Sequence, residues 1–187
     1  RAISWLKCAE KHSGNDDDLA VIALWISFNS CYSIDTHSHL LIPERKKVNQ
    51  LVEKLIQFDT EHHLYDLLFD KYLEEIKGLI NNKFIFEPYW RSLKDTDVDW
   101  QASFTKARRR ARIALEKEDT AKLLSIIIDR LYVLRNQLFH GGATYRGAVN
   151  RDQISDARGL LIDLIPTIIE TMFNKADWGD IYYPVID

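Results

Sequence analysis

The chain has 187 residues, 46% of them hydrophobic and 28% charged, with a formal net charge of −3. That is enough for one well-buried core and short for two. It excludes a disordered chain and a generic basic coat protein for nucleic acid, so any nucleic-acid contact must come from a local patch. Cys8 and Cys31 form no CxxC pair and fit a reducing cytosol. The longest apolar run, "LAVIALWISF", is about half of the ~20 residues that span a bilayer, so no membrane partner and a cytoplasmic location are expected.

Helical periodicity dominates the chain. "SWLKCAEKH" predicts a short first helix that ends near Ser13-Gly14. "NDDD" supplies an N-cap and first-turn acids for "LAVIALWISFNSCYSI", a helix apolar nearly all round and therefore central. "DTHSHLLIP" reads as a loop. Pro43 opens "ERKKVNQLVEKLIQF", whose Val48, Leu51, Val52, Leu55 and Ile56 share a face. Asp59-Thr60 caps one further helix, "EHHLYDLLFDKYLEEIKGLI". "KFIFEPYWRSLKDTDVD" is irregular, with its aromatics covering the core, and "KFIF" and "IYYPVI" are the two stretches with any strand character.

"WQASFTKARRRARIALEK" returns to helix, and "DTAKLLSIIIDRLYVLRNQLFH" follows with Asp119 or Thr120 as its cap. Asn150 with Gln153 forms a box-like cap for "RDQISDARGLLIDLIPTIIETMFN", which Pro166 should kink by removing the N–H owed to the Ile162 carbonyl. The whole chain, 1–187, therefore predicts a single all-α domain, an antiparallel helical bundle with an irregular middle and motif-bearing helices at about 118–174.

On a helical wheel, Leu124, Ile127, Leu131, Leu134 and Leu138 fall within about 80°, the core stripe. Nearly opposite lie Ser125, Asp129, Tyr132, Asn136 and His140. Asn136 and His140 are neighbours at i,i+4, and Arg135, about 100° away, is long enough to reach over the same surface. Arginine offers a positive fork for phosphate, histidine a proton carrier near neutrality, and asparagine orients either. Gly141-Gly142 allows a left-handed exit from the helix. Because Arg135 and His140 lie off the core stripe, removing either is expected to leave stability nearly unchanged.

The run Arg135-Asn136-Gln137-Leu138-Phe139-His140 resembles the R-x4-H signature of the HEPN superfamily, with the polar residue that often follows its arginine. "LRNQLFHGGATY", followed by an arginine-bearing helix, looks closest to the Apea-like branch, and "WISFNSCYSI" resembles an early core helix of such domains. The resemblance implies a fold of antiparallel helices, pairing of two copies with facing motifs, and RNA cleavage without a metal or other cofactor. Arg135 and His140 would then be the catalytic pair with Asn136 in support, and Asp129, Tyr132, Tyr145, Arg146 and Arg151 would bind the RNA substrate. A toxin, defence or stress effector is the expected setting, with a neutralising or regulatory protein partner. The chain departs from the R-x4-H-x-Y form of HEPN partners of minimal nucleotidyltransferases, since His140 precedes two glycines and the nearest tyrosine is Tyr145.

Two rival readings fit the same residues: a non-catalytic HEPN module that binds RNA or nucleotide or holds an assembly together, and a plain helical interaction domain. "KARRRAR", 106–112, is the strongest basic run, able to hold a phosphate backbone or simply to pair with nearby acids on a solvated face. Neither Asp35, His37 and His39 nor His62, His63 and Asp66 has the ligand count of a structural zinc site or the HExxH pattern, so no metal is expected.

Overall fold

The computed structural model describes residues 1–32, 43–140, 142, 144–148, 150–174 and 178. These residues form an all-α helical bundle, with no strand among them. Helices α1 (Ala2–His12) and α2 (Asp17–Tyr32) make a hairpin, and α3 spans Glu44–Phe58. Helix α4 (His63–Tyr65) leads through a π-helical segment, Asp66–Lys71, into α5 (Leu73–Asn81). A 3₁₀ turn, Lys83–Ile85, and the short α6 (Glu87–Ser92) form the irregular middle. The long helices α7 (Trp100–Glu116), α8 (Thr120–Phe139) and α9 (Arg151–Phe173) follow.

Helix α2 is buried round most of its circumference, as its apolar sequence requires: Val21, Leu24, Trp25 and Phe28 are nearly solvent-free, and Leu19 in its first turn is exposed. It packs on α1, α8 and α9, while α3 and α5 both lie against α8 and α9, and α7 covers α8. The core stripe of α8 is buried at Leu124, Ile127, Leu131 and Leu134, with Leu138 partly covered. Burial extends further round that helix than the stripe, because Leu123, Arg130 and Gln137 are enclosed as well.

Three sequence expectations need correction. The helix expected at 61–80 is not uniform: the Tyr72 amide bonds the Leu67 carbonyl at 3.0 Å, an i→i+5 bond that widens one turn, and α5 restarts beyond it. "KFIF" is a 3₁₀ turn, closed by Asn82 Oδ1 accepting the Phe84 amide at 2.7 Å. Asn150 does precede α9 but caps nothing with its side chain; it takes a left-handed φ of 60° and turns its amide inward, Nδ2 donating to Gln137 Oε1 at 2.8 Å. Among the described residues after α8, left-handed φ values fall on Arg146 and Asn150 and not on Gly142. "IYYPVI", Gly141 and the Asp35/His37/His39 group lie outside the described residues. Helix α9 runs from Arg151 to Phe173 as one helix, with Pro166 on its exposed side.

The first turn of α2 is a second anchor. Asp16 Oδ1 accepts the Leu19 amide at 3.1 Å, the N-cap read from "NDDD". The same acids also hold the segment after α8: Tyr145 donates to Asp16, Arg146 pairs with Asp16 at 3.1 Å and gives its amide to Asp18 at 2.7 Å, and Arg151 pairs with Asp18. Arg158 of α9 meets Asp17 at 2.8 Å. Inside this segment Gly147 is obligatory, since a Cβ there would stand 2.3 Å from Thr144 Oγ1.

The Tyr145 hydroxyl, offset in part by burial but joined by the Leu19 amide and Arg146, holds the Asp16 carboxyl below its ordinary value. A depressed folded-state pKa gives stability that is complete above the unfolded carboxylate value, about 3.9, and is lost as pH falls through the folded one. Asp16→Asn should therefore melt at a lower temperature than the natural chain at pH 7, and the gap should narrow below about pH 4. Thermal melts across that range check it; a gap that does not change with pH would contradict the ionised role of Asp16.

Candidate functional site at the end of helix α8

Helix α8 is built from its N-terminus by Asp119, which accepts the Lys122 amide at 2.9 Å, and it delivers Arg135, Asn136 and His140 at its far end. The Arg135 guanidinium reaches back along the helix, as its length allows: Nη1 donates to Asn136 Oδ1 at 2.9 Å. The backbone carbonyl of Asn136 accepts the His140 amide at 3.0 Å. That bond is the helix's own i→i−4 bond, so the one side-chain contact within the trio is between Arg135 and Asn136. His140 sits in the C-cap position with its side chain exposed, and among the described residues that imidazole has no hydrogen-bond or ion-pair partner.

Arg135 is in a different situation. Its side chain is only 15% exposed and its guanidinium lies over three rings, Trp25 at 5.2 Å, Tyr132 at 4.8 Å and Phe139 at 5.5 Å. Each ring face attracts the cation, more strongly as water is excluded. The facing carboxylate is Glu44, the first residue of α3, whose Oε1 accepts from Nη2 at 3.4 Å. That bond is long and uses one arm of the fork, so it is not the bidentate carboxylate clamp that arginine favours. Arg135 Nε is buried without a partner among the described residues.

Glu44 is held in turn by Tyr32, whose hydroxyl is 2.8 Å from the same Oε1 and also lies beside Asn29 Oδ1. Burial, and then the bond to Glu44, push the Tyr32 phenol above its ordinary value, so it stays a donor. The chain of contacts from Tyr32 through Glu44 and Arg135 to Asn136 joins α2, α3 and α8.

The other residues expected at the site divide into two groups. Asp129 and Tyr132 share the α8 face with the trio: Asp129 pairs with Arg45 of α3 at 2.8 Å on open surface, and Tyr132, 37% exposed, sets its ring against Trp25. Tyr145, Arg146 and Arg151 are instead committed to the acids at the start of α2. Glu44, Tyr32 and Trp25 were missed from the sequence. Glu44 is separated from Arg135 by 91 residues, and no local spacing signals that pairing.

Chemically, the end of α8 offers an exposed proton carrier at His140, a positive group at Arg135 with donors left over, and exposed aromatic surface at Tyr132 and Phe139. A phosphate would have to displace Glu44 or share Arg135 with it. Burial also corrects one expectation. Arg135→Ala would remove the cation from three rings and leave Glu44 without its positive partner, so it should cost about 1–3 kcal/mol, whereas the exposed His140→Ala should stay within about 0.5 kcal/mol. Urea unfolding of the two variants checks this; equal stability of both would contradict the caged guanidinium.

No family model, curated protein or solved structure matches this chain, so the role of the site has to be argued from its own residues.

Proposed function

We propose that the chain is a metal-independent endoribonuclease of HEPN type, acting as a homodimer whose two α8 ends form one composite cleft. The observation that carries this reading is the trio itself: Asn136 bonds the Arg135 guanidinium through its side chain, and His140, one helical turn on from Asn136, presents its imidazole to solvent. The sequence resemblance supplies the reaction class. A single motif has one histidine and one caged arginine, and pairing two copies through Tyr132, Asn136 and Phe139 would double both and cover exposed aromatic surface.

In that cleft one His140 takes the proton of the substrate's 2′-hydroxyl, and the 2′-oxygen attacks the adjacent phosphorus. The bond from phosphorus to the 5′-oxygen breaks as His140 of the other copy protonates the leaving oxygen. Arg135 stabilises the charge that builds on the phosphate oxygens. A toxin, defence or stress role, with a protein partner that neutralises or regulates the chain, is the setting this activity fits.

A second reading is favoured by Glu44, which already faces the Arg135 cation: a non-catalytic HEPN module that binds RNA or nucleotide or mediates assembly. Cleavage separates the two. The natural dimer in EDTA should cut single-stranded RNA, His140→Ala should not, and RNA with one 2′-deoxy nucleotide at the cut site should resist there. Gel analysis of end-labelled RNA reads all three. Cutting of the deoxy-substituted bond would overturn the mechanism, and a natural chain that binds RNA without cutting it would establish the second reading.

A further inference from the structure

The basic run on α7 is not used by the site at the end of α8. Where α5 meets α7 the surface opens into a cleft of about 450 Å³. Four cations line it, Lys77 from α5 and Arg108, Arg109 and Arg112 from α7, with Asn81 and Thr105 beside them. Its floor is apolar, Ile80 and Leu115, and none of its lining residues is acidic. Two of the cations have carboxylate neighbours at the rim: Lys77 meets Glu74 at 2.6 Å and Arg112 meets Glu116 at 3.4 Å. Both pairs are exposed and local to one helix, the kind that contributes little and yields readily to a better anion. Arg108 lies over the Phe104 ring at 5.9 Å, and Arg109 has no carboxylate partner among the described residues.

The cleft also lies beside the C-terminal end of α5, where bare carbonyls would repel an anion. That end is blunted from inside the fold, because buried Arg130 donates to the Ile80 carbonyl at 3.3 Å. Arg108 and Arg112 are one turn apart, a rise of about 6 Å, so positive charge runs along the cleft and is not gathered at one point. An extended chain of phosphates matches such a track better than a single compact anion.

We propose that the α5–α7 cleft binds the phosphate backbone of single-stranded nucleic acid, at a place separate from the α8 site. It recognises phosphates and not sugars, so it should hold RNA and DNA alike. The inference does not depend on the ribonuclease reading: single-stranded DNA has no 2′-hydroxyl for the proposed chemistry to use, and it tests the cleft by itself.

The experiment is fluorescence anisotropy of the natural chain with a labelled single-stranded DNA oligonucleotide, and with RNA of the same sequence in the His140→Ala background, over a range of salt. Both should bind with similar affinity. Arg109→Ala combined with Arg112→Ala should weaken binding several-fold and lower the slope of log affinity against log salt by about 1.4, at about 0.7 for each phosphate that is no longer neutralised. Lys106→Ala with Arg110→Ala removes the same charge from the same helix outside the cleft lining, and it should leave the slope nearly intact. All four positions are exposed, and circular dichroism confirms that the variants fold. No saturable binding of DNA by the natural chain, binding of RNA alone, or equal weakening in the two double variants would each overturn the proposal.

Discussion

A guanidinium removed from water must be met by acceptors or by ring faces, and helix α8 carries two such groups into the fold. Arg130 is almost fully buried, donates to the Ile80 and Ile85 carbonyls, and lies over the rings of Phe86 at 4.5 Å and Phe104 at 5.5 Å. Burial lowers it to about 10, which leaves it charged at neutral pH. Arg135, a turn and a half further on, is met by Glu44 and by Trp25, Tyr132 and Phe139. The first arginine ties the end of α5, the 3₁₀ turn and α7 to α8; the second ties α2 and α3 to it. The placement of the α8 terminus therefore follows from how two charges are satisfied, as well as from the leucine stripe between them.

A buried amide network completes the frame. Gln137 donates to the Phe84 carbonyl, which also accepts Trp90 Nε1 at 2.7 Å, and it receives Asn150 Nδ2. The irregular aromatic middle is thereby fixed to α8 and to the start of α9. Cys31, buried in α2, is pushed up to about 12 by that burial, which makes it an inert core thiol.

What could be read from the sequence follows the range of the forces involved. Helix α3 was legible to its ends, Glu44–Phe58, because Pro43 and a periodic apolar face are local signals. A cap within "NDDD" and one at Asp119 or Thr120 were legible for the same reason, and the structure puts them at Asp16 and Asp119. At the candidate site, Arg135, Asn136 and His140 were found by their spacing on one helix. The inward Asn150 and the burial of Arg130 were not, since each depends on a partner outside its own helix, and the widened turn at 66–71 leaves no mark on an apolar pattern that stays helical. The same limit explains why Arg146 and Arg151 read as substrate-binding residues: their acids, Asp16 and Asp18, lie about 130 residues earlier. Glu44 is the most consequential of these distant partners, because it alters how Arg135 can meet an anion. The cations of Arg108 and Arg109 stand on open surface by contrast, but on a helix wheel they lie about 100° apart, and only the packing of α5 beside α7 makes both line one cleft.

The proposed chemistry at the end of α8 is an internal transesterification, and it has one consequence that direct hydrolysis by water does not share. An attack by the substrate's own 2′-oxygen leaves a 2′,3′-cyclic phosphate on one fragment and a 5′-hydroxyl on the other. Mass spectrometry of the fragments from a short defined RNA, incubated with the natural chain in EDTA, measures those ends directly. Fragments ending in 2′,3′-cyclic phosphate, absent with His140→Ala, are what the account predicts; fragments ending in a 3′-hydroxyl with a 5′-phosphate would contradict it.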